Sequence, residues 1–210
     1  MRVVATYKNK GPLDELVTSL GALGANFSAV EADVSVEADV KAAVGKALER
    51  HGRIDVLLNI AGGYTGGRDV SETPVGDLDN MLNMNLRTAF LCSSVVLPTM
   101  MKQNYGKIVS VAARPAVEKR YRVKSGAYAI SKAGVVVLTE TIAEEVKKHN
   151  INVNAIMPST IATPQNLKSM PDADSTKWVR PEDITSVILH LISDDSKVTS
   201  GAAVPVYGKA

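Results

Sequence analysis

Residues 54–62 read Ile54-Asp55-Val56-Leu57-Leu58-Asn59-Ile60-Ala61-Gly62, and a loop carrying Gly63, Gly66 and Gly67 follows. A short apolar run that breaks into glycines is the pattern of a strand buried on both faces, as in a parallel sheet. The chain on either side repeats the theme. Upstream, residues 2–5 form a β-branched run, and Gly11-Pro12 opens a helix with Leu13, Leu16, Val17 and Leu20 at i, i+3, i+4, i+7 spacing. Residues 26–32 are a second extended run, and Ser35 is placed to cap a helix whose inner face is Val36, Val40, Ala43, Val44 and Ala47 and which stops at Gly52. Downstream, Thr73-Pro74 starts a long helical pattern through Leu78, Met81, Leu82, Leu86, Phe90 and Val96. Strands at 108–112, 151–157 and 203–207 then alternate with helices over about 126–149 and from Pro181. Residues 158–180 read as one long irregular segment, of a length that suits a lid or binding loop.

Strands alternating with helices predict an α/β fold, a doubly wound parallel sheet in three layers, with ligands at the carboxyl ends of the strands. The chain has 210 residues, enough for a single domain over 1–210 with a large core; 45% hydrophobic and 22% charged residues exclude disordered, collagenous and coiled-coil classes. Twenty-four Lys+Arg against 22 Asp+Glu leave a charge of only +2 without a basic stripe, and 4% aromatic residues provide no stacking platform, so nucleic acid is not an expected partner. Cys92 is the single cysteine, which excludes an intramolecular disulfide and fits a reducing cytoplasm. His51, His149 and His190 lie far apart in sequence and no metal site is expected. No apolar stretch is long enough for a bilayer, and no membrane partner is expected.

Tyr128-Ala129-Ile130-Ser131-Lys132 sets a phenol and an ammonium four residues apart, about one helical turn on one face. A neighbouring cation stabilises phenolate, which lowers a tyrosine from about 10 toward neutrality and makes Tyr128 a proton donor to a carbonyl oxygen. Asn59-Ile60-Ala61-Gly62 after a buried strand, Asn85 in the long helix and Tyr128xxxLys132 after the next strand occur in the order found in the short-chain dehydrogenase/reductase family. The whole chain resembles that family, and the resemblance implies a Rossmann-like sheet, a hydride-transferring activity on a small-molecule substrate, and NADP or NAD as cofactor. It further implies that Tyr128 exchanges a proton with substrate, that Lys132 lowers its pKa and holds the nicotinamide ribose, and that Asn85 holds a relay water. Asp33 with Val34 would meet the adenine, Asn59, Ala61 and Gly62 the adenosine ribose and cofactor backbone, and Pro158 and Thr163 the nicotinamide and phosphates. A homodimer or homotetramer on the long helices is implied as well.

Two departures from the family pattern matter. The position of its catalytic serine is Ala113, with Ser110 three residues too early on the strand and Ser125 too close before Tyr128. The dihydropteridine reductases, a branch without this serine, are similar at residues 61–67, 112–114, 163–174 and Trp178, and a conjugated dihydropterin needs no alkoxide stabilised. The second departure is that no glycine-rich turn precedes residues 1–6, which resemble the family's second strand. The resemblance therefore implies an N-terminally truncated version of a longer protein. Its first βα unit would be missing, two half-sheets would have unpaired inner edges, and the 210 residues alone would bind cofactor weakly. Tyr7-Lys8-Asn9, at the end of that strand, holds one cation and no acid, which favours NADP through Lys8. The rival reading is a remnant of the fold that acts as a scaffold or interaction domain.

Overall fold

The computed structural model describes residues 1–209; Ala210, the end of the expected domain, lies outside the described residues. The elements are β1 Val3–Tyr7, α1 Lys10–Leu20, β2 Phe27–Glu31, α2 Glu37–His51, β3 Val56–Asn59, α3 Val75–Met81, α4 Thr88–Gln103, β4 Gly106–Val111, α5 Gly126–Glu145, β5 Ile151–Pro158, α6 Pro164–Ser169, α7 Pro181–Ile192 and β6 Ala203–Val206. Every strand pairing is parallel, with the order β1-β2 in one sheet and β3-β4-β5-β6 in another. Among the described residues the six strands thus fall into two separate parallel sheets, of two and four strands.

The core sits on the four-stranded sheet. Val96 and Met100 of α4 and Ile142 and Ala143 of α5 pack with Ile108, Ile151 and Val153 on one face. Leu191 of α7 with Val179 closes Val109, Ile156 and Val206 on the other, which gives three layers. Each fully buried side chain of this size contributes about 1.5 to 3 kcal/mol. All eight residues of β5 are buried, as expected of a central strand.

Several expected features differ. The inner face assigned to α1 is not covered: no described residue of that helix is buried, and Leu16 and Val17 are exposed. The strand expected to be buried on both faces leaves Leu58 38% exposed, because β3 is an edge of its sheet. Ser35 does not cap α2; its hydroxyl and N–H donate to Asp33 Oδ1, and Val36 occupies the cap position. The single long helix from Thr73-Pro74 is two helices joined by a π turn at Leu82–Arg87. Residues 158–180 are not one irregular loop, since they hold α6 and a parallel bridge from Ile161 to Val179.

Candidate active site

Asn85 stands at the centre of the site because the π turn places it there. A π turn inserts one extra residue into a helix and is frequent at functional positions. The Asn85 amide is buried and fully engaged: Gly63 N–H donates to Oδ1 at 2.9 Å, and Nδ2 donates to Gly63 C=O at 3.1 Å and to Ser131 Oγ at 3.0 Å. One side chain thus ties the loop after β3 to the middle of α5. Gly62 fits between them only as glycine, since a Cβ there would lie 2.5 Å from Asn85 Oδ1 and 3.2 Å from Lys132 Nζ. Gly62, Asn85 and Lys132, picked from three separate parts of the sequence, are brought together.

Tyr128 and Lys132 share a face of α5. The electrostatics between them differ from the sequence expectation. Burial pushes the Tyr128 phenol up to about 12, and burial pushes the Lys132 ammonium down to about 8. Lys132 Nζ donates to the Val111 carbonyl at 2.7 Å, so in this arrangement it supports the end of β4 rather than a phenolate. The expected lowering of Tyr128 is therefore corrected: desolvation by burial is the largest cause of its shift and raises the phenol. The Tyr128 ring meets the Tyr64 ring edge to face, with centroids 5.0 Å apart.

The residues expected on the adenosine side are also placed. Lys8 at the end of β1 donates to Asp33 Oδ2 at 2.5 Å, and this ion pair, with the Ser35 bonds, holds the Asp33 carboxyl well below the usual range. Val34 is half-buried in the turn that follows. Ala61 is exposed beside Gly62. Asn59 points inward instead: its Nδ2 donates to Ser93 Oγ at 3.1 Å and Ser110 Oγ at 3.0 Å, cross-tying β3, β4 and α4. At the other end, Pro158 terminates β5, and Thr163 caps α6 by accepting from Asn166 N–H at 3.2 Å. Among the described residues no cluster of His, Cys, Asp and Glu could hold a metal, and no helix is long and apolar enough to cross a membrane.

Ala113 is buried and extended, immediately past β4. Neither candidate hydroxyl replaces the serine, because Ser110 accepts from Asn59 inside the sheet and Ser125 donates to Tyr121 C=O. Two groups were not assigned roles from sequence. Arg114 lies between the rings of Tyr121 and Tyr207, 4.0 and 4.3 Å from their centroids, and pairs with Glu118 at 3.1 Å. Tyr64 is the other, and its only sequence signal is an aromatic residue between two glycine pairs directly after the Asn59 turn.

Comparison with known proteins agrees with this geometry. A family model described as short chain dehydrogenase matches residues 1–174. The chain is 33% identical to the 3-oxoacyl-acyl-carrier-protein reductase FabG of Thermotoga maritima over 214 residues, covering 98% of this chain and 86% of that protein. It is 32% identical to 2-dehydro-3-deoxy-D-gluconate 5-dehydrogenase of Dickeya dadantii, covering 92% of this chain and 80% of the relative. The crystal structure of NAD+-bound xylitol dehydrogenase superposes with a TM-score of 0.89 at 26% identity, covering 99% of this chain and 88% of that one.

Proposed function

This chain belongs to the short-chain dehydrogenase family, and from that premise we propose an NAD(P)H-dependent oxidoreductase that reduces a small carbonyl compound, with Tyr128 as proton donor. The observation that carries the reading is the convergence of Gly62, Asn85 and Lys132 around α5, one helical turn from Tyr128. The close packing of Gly62 against Asn85 and Lys132 holds the loop after β3 beside the Lys132 ammonium. A bound nicotinamide dinucleotide supplies the hydride. Tyr128 gives its proton to the carbonyl oxygen as negative charge develops there. Lys132, near 8 and able to turn from Val111, holds the nicotinamide ribose and stabilises the tyrosinate left behind. Asn85 is proposed to seat a relay water while its amide fixes Gly63 and Ser131.

Lys8, Asp33, Val34, Ala61 and Gly62 are proposed for the adenosine end of the cofactor, with Asn59 buried behind them as a tie between β3, β4 and α4, and Pro158 and Thr163 for the nicotinamide and phosphates. NADP is favoured because Lys8 is exposed and its surface pair with Asp33 is weak enough to give way to a 2′-phosphate. Without a hydroxyl at Ala113, conjugated or activated substrates such as a quinonoid dihydropterin are placed ahead of simple ketones. Exposed Phe90 on α4 and Ile130 and Val137 on α5 support a homodimer or homotetramer on those helices. The single Cys92 supports a cytoplasmic setting.

The test is a fluorescence titration of NADPH and NADH, followed by cofactor oxidation with dicarbonyl, dihydropterin and ketone substrates. It uses the natural polypeptide that carries these residues, and binding and turnover are expected. Failure of the natural polypeptide to bind either dinucleotide would favour the scaffold reading that Ala113 suggests.

A further inference from the structure

We propose that Tyr64 is a positioning residue for Tyr128: a loop anchored at both ends sets the Tyr64 ring on edge against the Tyr128 ring, fixing the donor phenol and shielding it from water. The inference rests on Tyr128 as proton donor. The first anchor is Gly63, whose N–H and C=O both bond to the Asn85 amide at 2.9 and 3.1 Å. The second is Gly67, at φ +97°, whose N–H donates to the Lys124 carbonyl at 2.6 Å just before α5. Between them the chain folds back on itself. A Cβ at Gly66 would lie 2.3 Å from the Tyr64 hydroxyl oxygen and 2.9 Å from the Lys124 carbonyl, so only glycine lets Tyr64 take this place.

The ring so placed does little for its own burial, since Tyr64 is 66% exposed. What it covers is Tyr128, at 5.0 Å between centroids and 78° between planes, the edge-to-face geometry aromatic pairs favour. The ionisable side chain that bears on Tyr128 is Tyr64 from the loop; Lys132, one turn along α5, has its ammonium turned to Val111. The π turn contributes the neutral Asn85, and the turn after β4 contributes Arg114, engaged by Glu118 and two tyrosine rings. Desolvation is the largest cause of the raised Tyr128 phenol, and the Tyr64 phenol is the second. A substitution that removes the ring removes both of its contributions, and one that keeps the ring removes only the second.

The experiment compares Tyr64→Phe, Tyr64→Leu and Tyr64→Met in the natural polypeptide, with folding checked by circular dichroism. One readout is the tyrosinate absorbance titration without cofactor or substrate, in which the Tyr128 transition is the one that Tyr128→Phe lacks. The other is kcat and KM for carbonyl reduction. The expected result is that Tyr64→Phe stays within about twofold of wild type in kcat. The two aliphatic variants should lose about tenfold or more in kcat with KM little changed, as expected for an interaction realised in the chemical step. Their Tyr128 midpoint should fall toward the ordinary value, further than in Tyr64→Phe. An unmoved midpoint in a folded aliphatic variant overturns the proposal, as does a change in KM alone or a Tyr64→Phe variant as impaired as Tyr64→Leu. Full activity of Tyr128→Phe would instead remove the proton-donor assignment, and the titration of Tyr64→Leu would still report whether the ring contact exists.

Discussion

Gly62→Ala adds one methyl group where the structure has no room for it. The new Cβ lies 2.5 Å from Asn85 Oδ1, 3.2 Å from Lys132 Nζ and 3.7 Å from Asn85 Cγ. Asn85 cannot swing away cheaply, because it is buried and bonded to Gly63 N–H, Gly63 C=O and Ser131 Oγ. Either the loop lifts and breaks the two Gly63 bonds, or the amide turns and leaves buried polar groups unpaired. At about 1 to 3 kcal/mol for each unpaired group, and a similar range for forcing volume into a packed site, the expected loss is about 2 to 4 kcal/mol. For a chain of this size that is a fall in Tm of roughly 5 to 15 °C, read by thermal circular dichroism. Gly45→Ala is the control: Gly45 lies within α2 with nothing within 4 Å of its Cβ position, so alanine should stabilise by about 0.5 to 1 kcal/mol. A Gly62→Ala protein that melts with wild type and keeps full activity would refute the packing argument at the centre of the site.

Lys132→Met tests the buried ammonium, which the fold holds at about 8 against an ordinary 10.5. Between those values the unfolded chain binds the extra proton, so wild-type stability rises with pH across that window and is lost as pH falls to about 8, by up to about 3 kcal/mol. Lys132→Met should lack that rise in chemical denaturation run at both ends of the window, and an equal slope in the two proteins would show that Lys132 is not desolvated. Ala113→Ser should raise kcat/KM on unactivated ketones by about tenfold or more while changing dihydropterin or dicarbonyl turnover little; no gain on ketones counts against the substrate assignment. Lys8→Glu should shift the ratio of NADPH to NADH affinity by at least about tenfold toward NADH, measured by fluorescence titration, and an unchanged ratio would remove Lys8 from the cofactor site.

The alternation of strand and helix was legible because each apolar run is local, and the candidate site residues came from the family resemblance laid along it. What was not legible depends on contacts between distant parts. Leu86 and Phe90, four apart, read as one apolar stripe. The π turn inserts a residue ahead of α4, and Phe90 comes out 54% exposed while its neighbours Ala89 and Leu91 are buried. Leu58 reads as core, but its exposure is set by which strands pair, and β3 is an edge. The start of α6 was readable in Thr163-Pro164, a capping residue followed by a proline at the first helical position, and the loop reading overlooked it. The direction of the Tyr128 shift needed burial, which a four-residue spacing does not carry. Asn59 likewise shows its inward role only once Ser93 and Ser110 are seen beside it.

The most direct test of the account is Tyr128→Phe in the natural polypeptide, with carbonyl-dependent NADPH oxidation and NADPH affinity measured on the same preparation. The substitution keeps the ring and its contact with Tyr64 and removes only the hydroxyl. The account predicts a fall in kcat of at least about a hundredfold with cofactor affinity little changed. Turnover near that of wild type would contradict it, because the proton would then come from another group.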